Sequence, residues 1–214
     1  TLPQSFGPPF ERHQDSRHPA VVSCSNHVFE RPSDWNEHIY QRGYWYLDQP
    51  EDYIPPQALA NFMDRGEKPI YIGFGSMFNP AESERVLKII LPALAQVGKR
   101  AVVNGLADDL PTPNTVCLVN NIPHTWLFPR VAAVCHHGGA GTSAEGFRAG
   151  VPSVILPFAL DQHAWAQRAY ELGVGSRPVP YKHLTASKLA DAIAFSLQDQ
   201  IVRNAIALGQ KIAS

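Results

Sequence analysis

The sequence predicts an α/β fold, a Rossmann-like parallel sheet with helices on both faces. Two observations lead there. From residue 68 onward, short apolar runs alternate with stretches whose apolar residues recur at helical spacing. That order is typical of a parallel sheet covered on both sides. Several of the apolar runs also end in turns of small or polar residues that lead directly into a helical pattern. In open parallel sheets such turns lie at the carboxyl ends of strands, where ligands bind.

Strands are expected at residues 69–74, 100–103, 115–119, 131–135 and 153–156. The first helix of this region follows Val86, Ile89, Ile90, Leu94 and Val97, with Pro92 expected to kink or weaken it. Further helices are expected at 142–149, 162–172, 186–197 and over the last dozen residues. The first 66 residues differ. They hold eight of the 19 prolines and few periodic stretches. Within them a short strand is expected at 20–24, an extended connector at 31–52 and a short helix at 55–65, with Gly66 at its end. Residues 1–66 therefore read as the remnant of a preceding domain plus a linker, and 67–214 as a ligand-binding domain. Thr stands first rather than Met, so an excised piece of a longer chain is expected.

Composition narrows the function classes. Of the 214 residues 44% are hydrophobic and 17% charged, and the net charge is −1. A nucleic-acid partner would call for a basic excess, and no apolar run is long enough to span a bilayer. Cys24, Cys117 and Cys135 are odd in number and show no metal or redox spacing, which fits reduced thiols in a cytoplasmic protein.

Three loops carry candidate chemistry. In residues 135–143 a buried strand runs into His136 and His137, then through Gly138, Gly139, Ala140 and Gly141 to Thr142 and Ser143. Small residues let a ligand reach the backbone, and a helix start offers free N–H groups and a positive dipole end. Together they suit a phosphate. The alternative makes Thr142 an N-cap, with Glu145 completing a capping box. A metal shared by Cys135, His136 and His137 is disfavoured, because neighbours on a strand point to opposite faces. The second loop, residues 73–77, puts Gly73, Gly75 and Ser76 after the first strand of the region. The third, residues 157–162, ends in Asp161 and Gln162, whose acceptors and amide donor suit sugar hydroxyls. Its alternative is an N-cap at Asp161 and a solvated Gln162.

The run from His136 to Thr142, then Glu145, residues 148–152, and Asp161-Gln162 resembles the donor-binding signature of family 1 glycosyltransferases with the GT-B fold. Residues 123–130 (with His124 and Trp126), residues 71–77, Asp34-Trp35 and residues 43–45 resemble the sterol 3-beta-glucosyltransferase branch. The resemblance implies the C-terminal, donor-binding half of a GT-B enzyme that transfers a hexose, glucose from UDP-glucose, to a sterol or other hydrophobic acceptor. It implies that His137 and the backbone of Gly138, Gly139, Ala140, Gly141 and Thr142 hold the diphosphate, with Ser76 lying against it. Glu145 would hold the ribose, Asp161 and Gln162 the sugar, and residues 122–124, including His124, would face the uracil. The stacking Trp of the plant relatives is absent from that last segment. Ala159-Leu160 stands where an aromatic-Gly pair often precedes Asp-Gln.

No catalytic residue is expected in this chain; the general base and the acceptor site belong to the N-terminal domain. The isolated chain is expected to bind donor without turnover. No cofactor or metal is expected, since no Asp-x-Asp occurs and aimed N–H groups can stabilise a departing diphosphate without one. The rival functions are a non-catalytic, transferase-like binding subunit and a UDP-sugar epimerase of GT-B architecture.

Overall fold

The computed structural model describes residues 18–47, 53–107 and 109–213. Residues 1–17 of the N-terminal segment and 48–52 of the connector lie outside the described residues. The chain divides into two units, Thr1–Leu47 and Asp48–Ser214. In the first, β1 (Ala20–Val22) pairs in parallel with β2 (Ile39–Gln41), Ala20 opposite Ile39. Gln41 donates its Nε2 hydrogen to the Phe29 carbonyl at 2.7 Å, fixing the turn between the two strands. The strand β2 lies inside the stretch read as an extended connector, because three residues carry too little periodicity to stand out.

The second unit begins with α1 (Gln57–Met63), whose Leu59 and Phe62 are buried. Arg100 closes its C-terminal end, donating to the Phe62 carbonyl at 2.7 Å. A cation there also complements the helix dipole. Five strands follow: β3 (Ile70–Gly73), β4 (Ala101–Asn104), β5 (Val116–Val119), β6 (Ala133–His136) and β7 (Ser153–Ile155). They form one parallel sheet in the order β5-β4-β3-β6-β7. The helices α2 (Ser83–Val97), α3 (His124–Leu127), α4 (Ala140–Arg148), α5 (Gln162–Glu171), α6 (Ala186–Ser196) and α7 (Asp199–Ala213) connect and flank them.

The period-two alternation of the strands feeds two separate cores. Ile70, Ile72, Ala101, Val103, Ala133 and Cys135 pack with α2 and α6. Tyr71, Val102 and Val134 face the other way, toward α1 and residues 122–131. With both strand faces buried, the strands read as unbroken apolar runs. The strand order reverses at β3: the chain steps outward through β4 and β5, then returns to place β6 on the far side of β3. Right-handed crossovers accordingly put α2 on one face and α4 on the other.

Pro92 sits inside α2, and the helix continues through it. Its position is exposed, so water can satisfy the carbonyl that loses its amide partner. The helix α4 starts at Ala140, with Gly139 as N-cap and no side-chain cap bond. Thr142 is therefore the third residue of the helix, and the capping box with Glu145 does not form. After α5 the chain runs beside β7, Ser176 N–H bonding to the Ser153 carbonyl at 3.1 Å and Val179 N–H to that of Ile155 at 3.2 Å. Among the described residues no helix is long and apolar enough to cross a membrane.

The helix α7 packs against the end of α4 through glycine. A Cβ on Gly209 would lie 2.8 Å from the Gly150 Cα and 3.1 Å from the Arg148 carbonyl oxygen. Helix propensity alone favours Gly209→Ala by about 1 kcal/mol, whereas overpacking against backbone costs about 1–3 kcal/mol. The substitution should therefore lower the urea midpoint. A higher midpoint would show that α7 is not seated on α4 in this way.

Candidate functional site

The reversal of strand order brings two strand ends together. In the sheet register Gly73 of β3 lies opposite His136 of β6 on one side and Asn104 of β4 on the other. The loops leaving β3 and β6 therefore start side by side, at the place where open α/β sheets bind ligands.

His137 stands between those loops. Gly75 has φ +66°, and a Cβ there would fall within 2.8 Å of the His137 Nδ1. A Cβ on Gly139 would lie 2.5 Å from its Nε2. The imidazole is thus clamped between two backbones that only glycine allows so close. Its Nδ1 is buried and has no hydrogen-bond partner. Burial lowers its pKa, opposed by the negative charge of Asp161. Beside it, the first turn of α4 presents the amides of Ala140, Gly141 and Thr142 with no side chain capping them. Ser76 lies in a 3-10 turn, Gly75–Met77, and is exposed. Glu145, half-buried, is one turn further along α4.

His136, the neighbour of His137, has a different role. It is fully buried, and its Nδ1 accepts the Gly138 N–H at 3.1 Å, bracing a turn in which Gly138 has φ +90°. Burial holds its pKa down to about 3. Cys135 points into the core of α2 and α6, on the opposite face of the sheet from His136.

In the third loop Gln162 is buried rather than solvated. Its Oε1 accepts the N–H groups of Phe158 at 2.7 Å and Ala159 at 3.2 Å, so the amide braces the loop from within. Asp161 occupies the N-cap position of α5, but its carboxylate makes no cap bond. Instead Oδ2 accepts from the Trp165 indole N–H at 2.9 Å. Neither the N-cap bond of Asp161 nor the solvated Gln162 of the structural alternative is thus present. Leu160 is 82% exposed with φ +56°, a conformation unfavourable for a residue with a Cβ.

His124 opens α3 just beyond β5, with Pro123 as N-cap. Its ring stacks on Phe128 with centroids 4.4 Å apart. Its Nε2 lies 3.2 Å from the Tyr71 hydroxyl. Burial, reinforced by the nearby His137, lowers its pKa to about 4. His124, His136 and His137 therefore share one neighbourhood, together with Tyr71.

Sequence reasoning missed the support under the loops. Phe158 stacks on Tyr181 at 4.0 Å, and Phe74 packs edge-on to both. The Tyr181 hydroxyl donates to the Glu82 carboxylate at 2.8 Å, and Arg85 donates to both. This cluster ties the loop after β3 to the loop after β7. A run of aromatics at strand ends was the available signal, but the partners lie about a hundred residues apart.

Residues 88–213 match the family described as erythromycin biosynthesis protein CIII-like, C-terminal domain. The chain is 42% identical over 190 residues to a sterol 3-beta-glucosyltransferase of Arabidopsis thaliana, covering 87% of this chain and 30% of that protein. A sterol 3-beta-glucosyltransferase of Cryptococcus neoformans var. neoformans serotype D is 33% identical over 218 residues, covering 89% of this chain and 14% of that one. The chain thus spans less than a third of the length of these relatives. Among solved structures, the calicheamicin glycosyltransferase CalG4 matches with a TM-score of 0.72 at 22% identity, over 96% of this chain and 51% of that one. The glycosyltransferase VinC, solved in complex with DTDP, matches with a TM-score of 0.60 at 23% identity, over 72% of this chain and 40% of that one. These likenesses identify the sheet and its helices as one half of a GT-B fold.

Two measurements test the local geometry. His124 and His136 are held neutral, at about 4 and about 3, against an ordinary value of 6.5. The unfolded chain binds more protons between those values, so their contribution is complete above pH 6.5 and lost as pH falls toward 4. Urea midpoints should drop between pH 7 and pH 5, and a flat profile would contradict the burial of both rings. Leu160→Gly should raise stability by about 0.5–1 kcal/mol, since relief of left-handed strain exceeds the added chain entropy. A lower midpoint would mean that the exposed side chain has a stabilising contact.

Proposed function

The chain belongs to the erythromycin biosynthesis protein CIII-like C-terminal domain family, and from that premise we propose that it is the donor-binding half of a metal-independent, UDP-sugar-dependent glycosyltransferase. The observation that carries the reading is the His137 ring, clamped by Gly75 and Gly139, with a buried and unpartnered Nδ1 beside the uncapped first turn of α4. A buried polar atom without a partner calls for an explanation, and an anion at a helix N-terminus supplies one.

In this reading the diphosphate lies against the amides of Gly138, Gly139, Ala140, Gly141 and Thr142. Ser76 adds a hydroxyl from the facing loop. As the glycosidic bond to the sugar breaks, negative charge grows on the diphosphate. Oriented N–H groups, the helix dipole and the His137 N–H stabilise it without reorganising. Burial keeps the His137 ring neutral, and a neutral imidazole still offers one N–H. Glu145 binds the ribose hydroxyls, residues 122–124 face the base, and Asp161 and Gln162 bind the sugar. The Gln162 carbonyl oxygen is engaged by the loop backbone, which fixes the side chain in the loop.

The donor we favour is UDP-glucose and the acceptor a sterol or another hydrophobic alcohol, because the relatives at 33–42% identity carry the name sterol 3-beta-glucosyltransferase. We assign the acceptor surface and the general base to a separate domain, so this chain alone binds donor and transfers nothing. Its three free cysteines accord with a cytoplasmic site of action.

Calorimetry tests this reading. UDP should bind equally well with and without EDTA. His137→Ala should weaken UDP and UDP-glucose by about 10- to 150-fold, the equivalent of a hydrogen bond to a charged group. Asp161→Ala should weaken UDP-glucose while leaving UDP nearly unchanged. Loss of UDP binding on chelation, or full UDP affinity in His137→Ala, would contradict the proposal.

A further inference from the structure

Beneath the site, a hydrogen-bond relay reaches His124 from the interior of the sheet. Tyr71 is the second residue of β3 and is buried at 3% exposure. Its ring lies back across Gly73, where an added Cβ would sit 2.7 Å from the phenol Cζ. This carries the hydroxyl to the carboxyl edge of the sheet. There Asn104, the last residue of β4, donates its Nδ2 hydrogen to the Tyr71 oxygen at 3.3 Å. The same oxygen lies 3.2 Å from the His124 Nε2.

A phenol has one hydrogen. With Asn104 donating to its oxygen, that hydrogen is free to point to the His124 Nε2, an arrangement in which Nε2 is the unprotonated ring nitrogen. Burial keeps the ring neutral, so its hydrogen sits on Nδ1. Burial also pushes the Tyr71 phenol up to about 12, so it keeps its proton. The ring has little freedom to turn, being stacked on Phe128 at an interplanar angle of 16° and packed edge-on against Tyr71 at 5.6 Å.

We infer that Tyr71 and Asn104 are positioning residues that hold His124 as its Nδ1–H tautomer, so that it offers a hydrogen-bond donor to the 4-keto oxygen of a pyrimidine base. The inference rests on the donor-site reading above, which puts the base at residues 122–124. It adds selectivity. Uracil and thymine present a keto acceptor at that position, whereas cytosine presents an amino donor that an Nδ1–H opposes.

The test combines ring spectroscopy with binding on the 214-residue chain. With 15N-labelled histidine at pH 7.5, the His124 signals, assigned by their loss in His124→Gln, should show a protonated Nδ1 and an unprotonated Nε2. Tyr71→Phe removes the donor to Nε2 and should move the ring toward the Nε2–H form. Asn104→Asp converts the donor into an acceptor, so the Tyr71 hydrogen turns to the carboxylate and the ring should lose its Nδ1–H preference. Calorimetry with UDP and CDP should find UDP weakened about 3- to 10-fold in Tyr71→Phe, with the preference for UDP over CDP reduced. An Nε2–H ring in the wild type would overturn the inference, since the Asn104 amide would then face the other way. So would a wild type that binds UDP, paired with a Tyr71→Phe variant of unchanged UDP affinity and base preference. A wild type that binds no UDP would instead overturn the donor-site reading, and this inference with it. If Tyr71→Phe fails to fold, Asn104→Asp decides by the same two readouts.

Discussion

Everything at the candidate site depends on the parallel pairing of β3 with β6, Gly73 opposite His136. Because the strand order reverses there, the helices that follow the two strands depart to opposite faces and leave a crevice between their loops. The glycines around His137 serve this arrangement. Gly75 belongs to one loop and Gly139 to the other, and the ring fills the space that their missing side chains leave. A methyl group on either would collide with it.

The crevice is also where local rules are broken. His137 Nδ1, His136 Nε2 and Asn104 Oδ1 are buried polar atoms without partners, and all lie at the carboxyl edge of β4 and β6. Leu160 adopts a left-handed conformation in the adjoining loop with almost no burial in return. Departures of this kind collect at functional sites, where the surrounding fold holds them in place. That fold is stiff. Apolar cores lie on both sides of the sheet, and the Phe74, Phe158 and Tyr181 cluster, held by Glu82 and Arg85, braces two of the loops from below.

The fold class was legible because each strand of the second unit is an apolar run followed by a turn and a helical period. All five strands and the long helices stand within a few residues of where the pattern puts them. Helix starts were less legible. Thr142 and Glu145 have the spacing of a capping box, yet the helix begins two residues earlier, since the glycine-rich stretch can turn without a side-chain cap. Gln162 follows a loop and reads as solvated, but its burial depends on Phe158 and Ala159 folding back onto it. The relay from Asn104 through Tyr71 to His124 spans residues 33 and 53 positions apart. No local pattern records such a contact. It exists only once the sheet register has aligned the strand ends. Most candidates for the proposed donor site could be named from the sequence because small and polar residues are concentrated in three short loops, whereas His124 and Glu145 lie outside them.

The central claim is that the crevice between the loops after β3 and β6 receives a nucleotide diphosphate. The most direct measurement is a titration of the 15N-labelled chain with UDP, followed through its backbone amide signals. The account predicts that the amides of Gly75, Ser76 and residues 138–142 shift most, and in step with one another. Saturable shifts confined to another face, such as the cavity of about 280 Å³ between Ser176, Arg177 and α6, with residues 138–142 unmoved, would contradict it.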